Sequence, residues 1–190
     1  MKNKKNIGKK LGVYPTPVLL VGTKINDKVN WVTIAHIGIT GMNETLLSVA
    51  KGHYSNKGMG IGKIVSLNVA TESMIEVTDY IGLNSGHDVD KSKVLDYYYE
   101  TYDTAPIAKE SPLAMEAKII DIYETDTEYN YILEIENTYA NEDVLDESGK
   151  IDFSKVKPLL FEMQGPSYMV AEKKIGIAWD IGKKYENEKR

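Results

Sequence analysis

The stretch "PVLLVGTKINDKVNWVTIAH" at residues 17–36 decides the fold class of this chain. It contains two apolar runs of strand length and β-branched character, at 17–25 and 29–36, which flank Asn26–Asp27–Lys28. Short polar residues between two such runs are typical of the turn in a β-hairpin. The stretch therefore predicts two consecutive antiparallel strands.

Similar runs recur along the chain and place this hairpin in a larger sheet. Apolar runs of strand length lie at 45–50 and 64–70, and apolar residues alternate with polar ones at 112–124 and 129–137. Alternation with a period of two is typical of strands that bury one face. Because many short strands need closure to hide their edges, we predict a mainly β fold built on a closed or nearly closed antiparallel barrel.

Helical signals are few and short. Ser73 and Glu76 form a capping-box pattern, which predicts a helix near 71–81. The segment "YSNKGMGIGK" at 54–63 is expected to begin with one weak turn before its glycines. The segment 82–112 is rich in Gly, Asp, Pro and Tyr, which predicts a long functional or interface loop around one short helix.

Composition favours a single cytoplasmic domain over residues 1–190. Hydrophobic residues make up 42% of the chain, which suffices for one core. The formal net charge of −5 gives no reason to expect nucleic acid, although residues 1–10 are rich in lysine. We expect residues 1–10 and the charged residues 182–190 to be flexible. No apolar stretch near the start is long enough for a signal core or a membrane span.

Several familiar site patterns are missing or fail on spacing. The sequence has no cysteine, which removes disulfides, thiol nucleophiles and cysteine-based metal sites. "GMGIGK" at 58–63 has neither the P-loop spacing nor that of the dinucleotide fingerprint. "DVDKSKVLD" at 88–96 lacks the glycine and the bidentate acid of a calcium loop. His36, His53 and His87 lie in separate segments, so we predict no metal, with a converging three-histidine site left as an alternative.

Three segments in a fixed order carry a family resemblance. They are "NWVTIAHIG" (30–38), "SVAKGHYSN" (48–56) and "YIGLNSGHDVDK" (80–91). The chain resembles the flavin reductase-like proteins with an FMN-binding split β-barrel, and within them the flavoredoxin group. The resemblance covers most of the chain and continues in weaker form to "GPSYMVAEKKIG" (165–176). It implies a split β-barrel with a Greek-key-like antiparallel arrangement and a few short helices.

The resemblance also implies a set of residues that bind FMN. The flavin ring would lie against Val32, Thr33, Ile34, Ala35 and His36. The phosphate would meet Ser48, Ala50, Lys51, His53, Tyr54, Ser55 and Asn56. Lys91 would reach the flavin from the long loop, often across a dimer interface. These residue types suit the ligand, because a phosphate needs cations, hydroxyls and backbone N–H groups, while an extended strand offers a ring edge alternating donors and acceptors.

Each of these assignments has a plain structural alternative. Thr33 and Ala35 are common in sheet strands for packing reasons alone. His53 would then be a loop imidazole bonded to the backbone, and Lys91 an ordinary solvated lysine. The tyrosines of the long loop would line a substrate or dimer surface, or supply structural contact area; they are Tyr97, Tyr98, Tyr99 and Tyr102.

Two positions depart from the family pattern. His36 stands where relatives commonly carry a tryptophan, and Asn43–Glu44 stands where they carry a proline pair. A histidine beside the ring would donate a hydrogen bond or carry a positive charge, and either would change the flavin potential or its acceptor.

The resemblance implies an FMN-binding oxidoreductase that acts as a homodimer with FMN near the interface. Reduced nicotinamide, NADH or NADPH, would deliver electrons through FMN to a flavin, a protein or a small molecule. No residue is expected to act as a dedicated acid or base, so we predict no catalytic residue. The alternatives are an FMN-carrying electron-transfer protein that does not oxidise NAD(P)H, a non-catalytic small-ligand barrel, and a metal-dependent enzyme built on the histidines.

Overall fold

Strands dominate the structure, which confirms the predicted mainly β class. The computed structural model describes residues 3–171, 173–183 and 185. The strands within these residues are β1 (Thr16–Pro17), β2 (Leu19–Ile25), β3 (Lys28–Ile34), β4 (Ile37–Ile39), β5 (Glu44–Ala50), β6 (Ile64–Val69), β7 (Tyr97–Tyr98), β8 (Ile107–Ala108), β9 (Leu113–Glu124), β10 (Glu128–Ala140), β11 (Leu159–Glu162) and β12 (Ser167–Val170). The helices are α1 (Ile75–Leu83) and α2 (Phe153–Val156), with 3-10 turns at Tyr54–Gly58, Glu72–Met74 and Glu142–Val144.

The first hairpin forms as predicted, with a turn of two residues. Strands β2 and β3 pair antiparallel, and Ile25 lies opposite Lys28. Asn26 and Asp27 have φ values of 49° and 61°. Positive φ at both central positions is typical of a type I′ turn, whose twist matches that of the flanking strands. Lys28, which the sequence places in the turn, begins β3.

Seven strands form one curled antiparallel sheet in the order β3-β2-β6-β9-β10-β5-β4. Its two edge strands, β3 and β4, are consecutive in the chain and separated only by Ala35 and His36. The amide of Ser48 on β5 donates to the carbonyl of His36 at 2.8 Å. The chain therefore passes directly from one edge of the sheet to the other. This junction, which we call the seam, closes the sheet into the predicted split barrel.

Successive residues of β3 face opposite sides of the sheet, as the pleat of a strand requires. Val32 and Ile34 belong to the barrel core, together with residues of the other strands such as Leu47, Leu67 and Leu133. Trp31 belongs to a second cluster outside the barrel, which includes Ile81 of α1. Helix α1 therefore covers the outer face of β3 beside the seam.

Helix α1 does not begin with the predicted capping box. Its N-cap residue is Met74, with no capping side chain, and the hydroxyl of Ser73 lies 3.0 Å from that of Thr71. The preceding 3-10 turn satisfies the first amides through the backbone, since Met74 N–H donates to the Thr71 carbonyl at 2.9 Å. Because the backbone already supplies these bonds, the side-chain cap is not formed.

The segment 82–112 is ordered by turns and by the short hairpin β7–β8, and past the end of α1 at Leu83 it contains no helix. The short helix predicted there is wrong. Tyr97 packs against Trp31 with ring centroids 6.3 Å apart. At least this one of the loop tyrosines therefore has a structural contact.

A buried carboxylate ties the same segment to the barrel. Glu116 on β9 is 0% exposed. One of its oxygens accepts from the amides of Thr101 and Tyr102 at 3.2 and 3.0 Å. The other accepts from Asn137 Nδ2 and the Tyr139 hydroxyl, both at 2.9 Å. Four donors replace the water that the carboxylate loses on burial, so the loop and β10 share one anchor.

A small sheet in the order β1-β11-β12 lies beside the seam. The hydroxyl of Thr16 on β1 donates to the Ala35 carbonyl at 2.6 Å. The Val18 amide donates to the Leu159 carbonyl at 2.9 Å. These bonds hold β11 and β12 across from the residues that join β3 to β4.

No helix in the described part of the chain is long and apolar enough to span a membrane. The flexibility predicted for 1–10 and 182–190 falls in part on residues 1, 2, 184 and 186–190, which lie outside the described residues.

Candidate functional site

A groove of about 280 Å³ opens at the seam. Seven of the residues that line it belong to the predicted FMN-binding set: Thr33, Ile34, Ala35, His36, Ser48, Ala50 and His53. The other lining residues are Val18, Gly82, Glu128, Phe161, Met163 and Tyr168. The structure thus brings together residues from β3, the seam, β5 and the following loop, which are far apart in the sequence.

The floor of the groove is the free edge of β3. The Trp31 carbonyl accepts from Lys91 Nζ at 3.2 Å, so it points away from β2. Carbonyls along an edge strand alternate in direction, so the Thr33 backbone points to the same free side. The Thr33 hydroxyl donates to the Thr78 carbonyl of α1 at 2.7 Å. Thr33 therefore offers a ligand its backbone groups and a hydroxyl that can only accept.

One wall of the groove is aromatic and comes from β11 and β12. Phe161 and Tyr168 lie with ring centroids 5.8 Å apart. The Tyr168 hydroxyl donates to Asp79 Oδ1 on α1 at 3.0 Å. Partial burial, together with the Asp79 carboxylate, raises the pKa of Tyr168 to about 12. The phenol therefore stays protonated and fixes β12 to α1.

The rim carries a tyrosine–histidine pair. The Tyr14 hydroxyl lies 2.8 Å from His36 Nε2. The Tyr14 ring also meets Phe161 edge to face, with centroids 6.3 Å apart. His36, the seam residue that departs from the family tryptophan, is thereby linked through Tyr14 to the aromatic wall.

His53 marks the polar end of the groove, where a second, more open cleft begins. That cleft of about 640 Å³ is also lined by Lys51, Asn56 and Tyr129. Within the described residues, the amides of Gly52, Tyr54 and Ser55 donate to no backbone or side-chain acceptor. Free amides beside lysine and imidazole groups form a donor set suited to an anion.

The Lys51 ammonium group at this polar end already forms an ion pair. Lys51 Nζ lies 2.6 Å from Glu124 Oε1 and 5.4 Å from the centre of the Tyr129 ring. The hydrogen bond to Glu124 raises the pKa of Lys51. An anion bound here would share the ammonium group with Glu124.

The surroundings of His53 favour its neutral form. Burial of the ring at the groove lowers the pKa of His53, and the positive charge of Lys91 lowers it further. An anion beside both groups would remove that penalty and favour the protonated imidazole.

The remaining loop residues of the predicted set serve mainly to shape the loop. Asn56 Nδ2 donates to the carbonyls of Ala50 and Lys51 at 2.9 and 3.1 Å, and its Oδ1 accepts from Tyr131. Ser55 is 2% exposed and accepts from Asn30 Nδ2 at 2.7 Å.

Tyr54 lies further from the groove than the sequence suggests. Its ring meets His87 at a centroid distance of 4.9 Å and lies under the Lys57 ammonium at 4.7 Å. It lines a separate small cleft that it shares with Lys91.

Lys91 and Val32 occupy positions that the sequence does not indicate. Lys91 is 4% exposed, and its Nζ donates to the carbonyls of Trp31 and Ile81 at 3.2 and 2.8 Å. It lies between β3 and α1 of its own chain, where burial lowers its pKa. The Val32 side chain faces the barrel core at 3% exposure, so only its backbone is available on the groove side.

The three histidines do not converge. His36 contacts Tyr14, His87 contacts Tyr54, and His53 lies at the end of the groove. Among the residues that the structure describes, no group of three His, Asp or Glu side chains is placed to hold a metal ion. The described residues therefore offer no set of metal ligands for the alternative of a metal-dependent enzyme.

Six residues that line the groove were not predicted from the sequence: Val18, Gly82, Glu128, Phe161, Met163 and Tyr168. They lie just before β2, in α1, at the start of β10, in β11, just after β11 and in β12. Phe161, Met163 and Tyr168 reach the groove only through the packing of the small sheet on the barrel, so nothing in their local pattern indicates a site.

Comparison with known proteins decides the family. The model of the flavin reductase like domain matches residues 11–166. The chain belongs to the flavin reductase-like family. Members of this family are flavoprotein oxidoreductases, and the groove therefore lies in a barrel of that class.

Solved structures agree with this family assignment. The flavoredoxin from Methanosarcina acetivorans is 32% identical to this flavin reductase-like protein, with a TM-score of 0.91 over 97% of this chain and 100% of that one. The flavoredoxin of Desulfovibrio vulgaris (Miyazaki F) is 28% identical, with a TM-score of 0.87 over 95% and 100%. These two matches support the flavoredoxin group.

More distant structures share the fold alone. An FMN-binding protein from Thermus thermophilus is 18% identical, with a TM-score of 0.74 over 93% of this chain and 100% of that one. No curated protein sequence matches the chain.

Proposed function

We propose that this protein is an FMN-binding oxidoreductase of the flavoredoxin type. It takes electrons from NADH or NADPH and passes them through FMN to a flavin, a protein or a small-molecule acceptor. One observation carries the proposal: seven residues chosen from the sequence as FMN ligands line a single groove at the seam of a flavin reductase-like barrel.

The groove has the two-part character that FMN requires. Its walls are largely apolar, with Phe161, Met163 and Tyr168 facing Ile34 and Ala35, which suits a planar ring system. Its far end offers Ser48, His53 and the free loop amides, which suits a phosphate. Glu128 adds a negative charge at that end, where it acts on the His53 imidazole against the positive charge of Lys91.

The chain's own residues bind and orient the cofactor. The free backbone edge at Thr33 and Ala35 offers donors and acceptors to the edge of the ring, and the aromatic wall keeps water from one side. His36, fixed by Tyr14, places an imidazole at the rim. Bound FMN supplies the redox chemistry, since it accepts electrons as a pair and can release them singly. Protein groups set its position and its electrostatic surroundings.

The proposal includes a homodimer with the groove near the contact between the copies. The described rim supports this, because Met163 and Leu83 are 44% and 77% exposed beside the groove. Exposed apolar side chains at the edge of a binding site are typical of surfaces covered by another chain.

The test begins with purified protein. We expect a yellow preparation whose released cofactor has the mass of FMN, and whose flavin absorbance bleaches when it is mixed anaerobically with NADH or NADPH. A flavin that neither nucleotide bleaches would favour the electron-transfer protein. A colourless protein that takes up no FMN on titration would favour the small-ligand barrel and contradict the proposal.

A further inference from the structure

The open cleft at the polar end of the groove is larger than the groove itself. Its volume is about 640 Å³, against about 280 Å³ for the groove. His53 lines both, so the cleft begins where the groove ends. Cavities of several hundred Å³ commonly hold a whole small molecule. A ligand in the open cleft would therefore lie next to whatever group the polar end of the groove binds.

One side of the open cleft belongs to the barrel. Ile122 on β9 lines it, together with Tyr129 and Tyr131 on β10. The two tyrosine rings have centroids 6.1 Å apart. Tyr131 is 2% exposed and its hydroxyl donates to Asn56 Oδ1 at 3.0 Å, so this ring is fixed. Tyr129 is only half-buried and offers the cleft an aromatic surface backed by the sheet.

The loop after β5 brings positive charge to the same cleft. Lys51 Nζ lies 5.4 Å from the centre of the Tyr129 ring and pairs with Glu124. Lys57 Nζ lies 4.7 Å from the centre of the Tyr54 ring, and it forms no ion pair within the described part of the chain. Two lysines against one glutamate leave the lining of the cleft with a charge of +1. The cation free to meet a ligand is Lys57.

An aromatic surface beside a free ammonium group is suited to a nucleoside phosphate. The base can stack on a tyrosine ring, and the phosphate can pair with the ammonium group. Two molecules would bring such a group to a protein of the proposed function. FAD continues beyond the phosphate of FMN into an adenosine phosphate, and NADH and NADPH also contain one. A small anion without a ring would leave the Tyr129 surface unused.

We propose that the open cleft is a second binding site, which takes an adenosine phosphate with its base against Tyr129 and its phosphate at Lys57. The inference rests on the proposed function for the neighbouring group, since the flavin phosphate would lie at His53. Tyr129 and Lys57 are both outside the set of residues assigned to FMN. Their replacement can therefore separate the second site from the first.

Calorimetric titration of 5′-AMP into the FMN-loaded protein tests the inference. AMP should bind with a Kd of about 1 mM or lower while the absorbance spectrum shows that FMN stays bound. Tyr129→Leu and Lys57→Gln should each raise this Kd at least about fivefold, because each removes one of the two anchors. The matched controls are Tyr123→Leu and Lys63→Gln, since both side chains are exposed and neither lines the cleft. The controls should leave AMP binding unchanged, and all four variants should keep the parent affinity for FMN.

Three results would overturn the inference: no saturable binding of AMP, displacement of FMN by AMP, or equal binding by the parent, Tyr129→Leu and Lys57→Gln. The same titration into the apoprotein separates this inference from the proposed function. A protein that binds AMP through Tyr129 and Lys57 but takes up no FMN contradicts only the proposed flavin.

Flavin affinities and steady-state kinetics distinguish the two sources of the adenosine phosphate. If it belongs to the flavin, the apoprotein should bind FAD more tightly than FMN, and Tyr129→Leu should abolish the difference. If it belongs to the nicotinamide donor, FAD and FMN should bind alike, and Tyr129→Leu should raise the KM for NADH or NADPH without changing kcat.

Discussion

The phenolic oxygen of Tyr14 lies 2.8 Å from Nε2 of His36, at the point where β3 passes into β4. This contact joins the beginning of the small sheet to the seam of the barrel. With Nε2 engaged, Nδ1 is the ring nitrogen left for a ligand in the groove that His36 lines.

Replacement of His36 by Phe should lower the midpoint potential of bound flavin. A donor beside the ring stabilises the added negative charge of the reduced form, and one hydrogen bond of about 1 kcal/mol corresponds to roughly 20 mV for a two-electron couple. Tyr14→Phe should produce a smaller shift in the same direction, because it frees the ring without removing it. Potentials are measured by anaerobic dye equilibration, with Tyr99→Phe as a control outside the groove. Equal potentials for His36→Phe and the parent protein would contradict this role.

The affinity for FMN should rise as the pH falls from about 8 to about 6, in the range where a histidine titrates. Burial at the groove and the charge of Lys91 lower the pKa of His53 in the free protein. A bound phosphate favours the protonated imidazole and raises that pKa, so binding takes up a proton in the window between the two values. FMN should therefore bind more tightly at lower pH. Isothermal titration in buffers of different ionisation enthalpy measures the proton uptake, and His53→Gln should abolish it. Persistent uptake in His53→Gln would assign the proton to another group.

Lys91→Met should destabilise the fold by about 2–3 kcal/mol, the cost of leaving buried carbonyls without donors. The carbonyls concerned are those of Trp31 and Ile81, which Lys91 bonds at 4% exposure. Urea denaturation of the apoprotein provides the measurement. Lys93→Met, two residues away and exposed, is the control and should stay within about 0.5 kcal/mol of the parent. Equal stability of the two variants would show that the buried ammonium is dispensable.

Glu116→Gln should cost about 3 kcal/mol and loosen the segment 97–105. The carboxylate accepts four hydrogen bonds at 0% exposure, and an amide would turn a donor toward two of those donors. Hydrogen exchange should show faster exchange at the amides of Thr101 and Tyr102. Glu136→Gln, on the exposed face of β10, should change neither quantity. Unchanged exchange in Glu116→Gln would mean that the loop has another anchor.

The strands were predictable because their signal is local. Alternation at 112–124 and 129–137 and the turn after Ile25 depend on neighbouring residues, and the structure has strands at each. The capping-box pattern at Ser73 was misleading because it is also local. It does not show that a 3-10 turn precedes α1 and that backbone hydrogen bonds of this turn take the place of the side-chain cap.

Only those residues of the groove that lie in continuous segments of the sequence could be predicted. Thr33 to His36 and Ser48 to His53 follow one another along β3, the seam and β5, so their neighbours in sequence remain neighbours in space. Phe161 and Tyr168 reach the groove through the pairing of β11 with β1 and β12, which no local pattern reveals. The burial of Lys91 depends on two carbonyls from distant segments, one on an edge strand and one in α1.

The central claim is that the seam groove holds FMN, and a variant that fills the groove tests it most directly. Gly82 lines the groove from α1, and a Cβ there would meet Thr33 no closer than 3.6 Å, so Gly82→Leu fits the backbone and projects into the groove. We predict that the parent apoprotein binds FMN in a fluorescence titration, whereas Gly82→Leu keeps its thermal stability and loses binding by at least about a hundredfold, or 2.7 kcal/mol. Unchanged FMN affinity in a folded Gly82→Leu protein would contradict the claim.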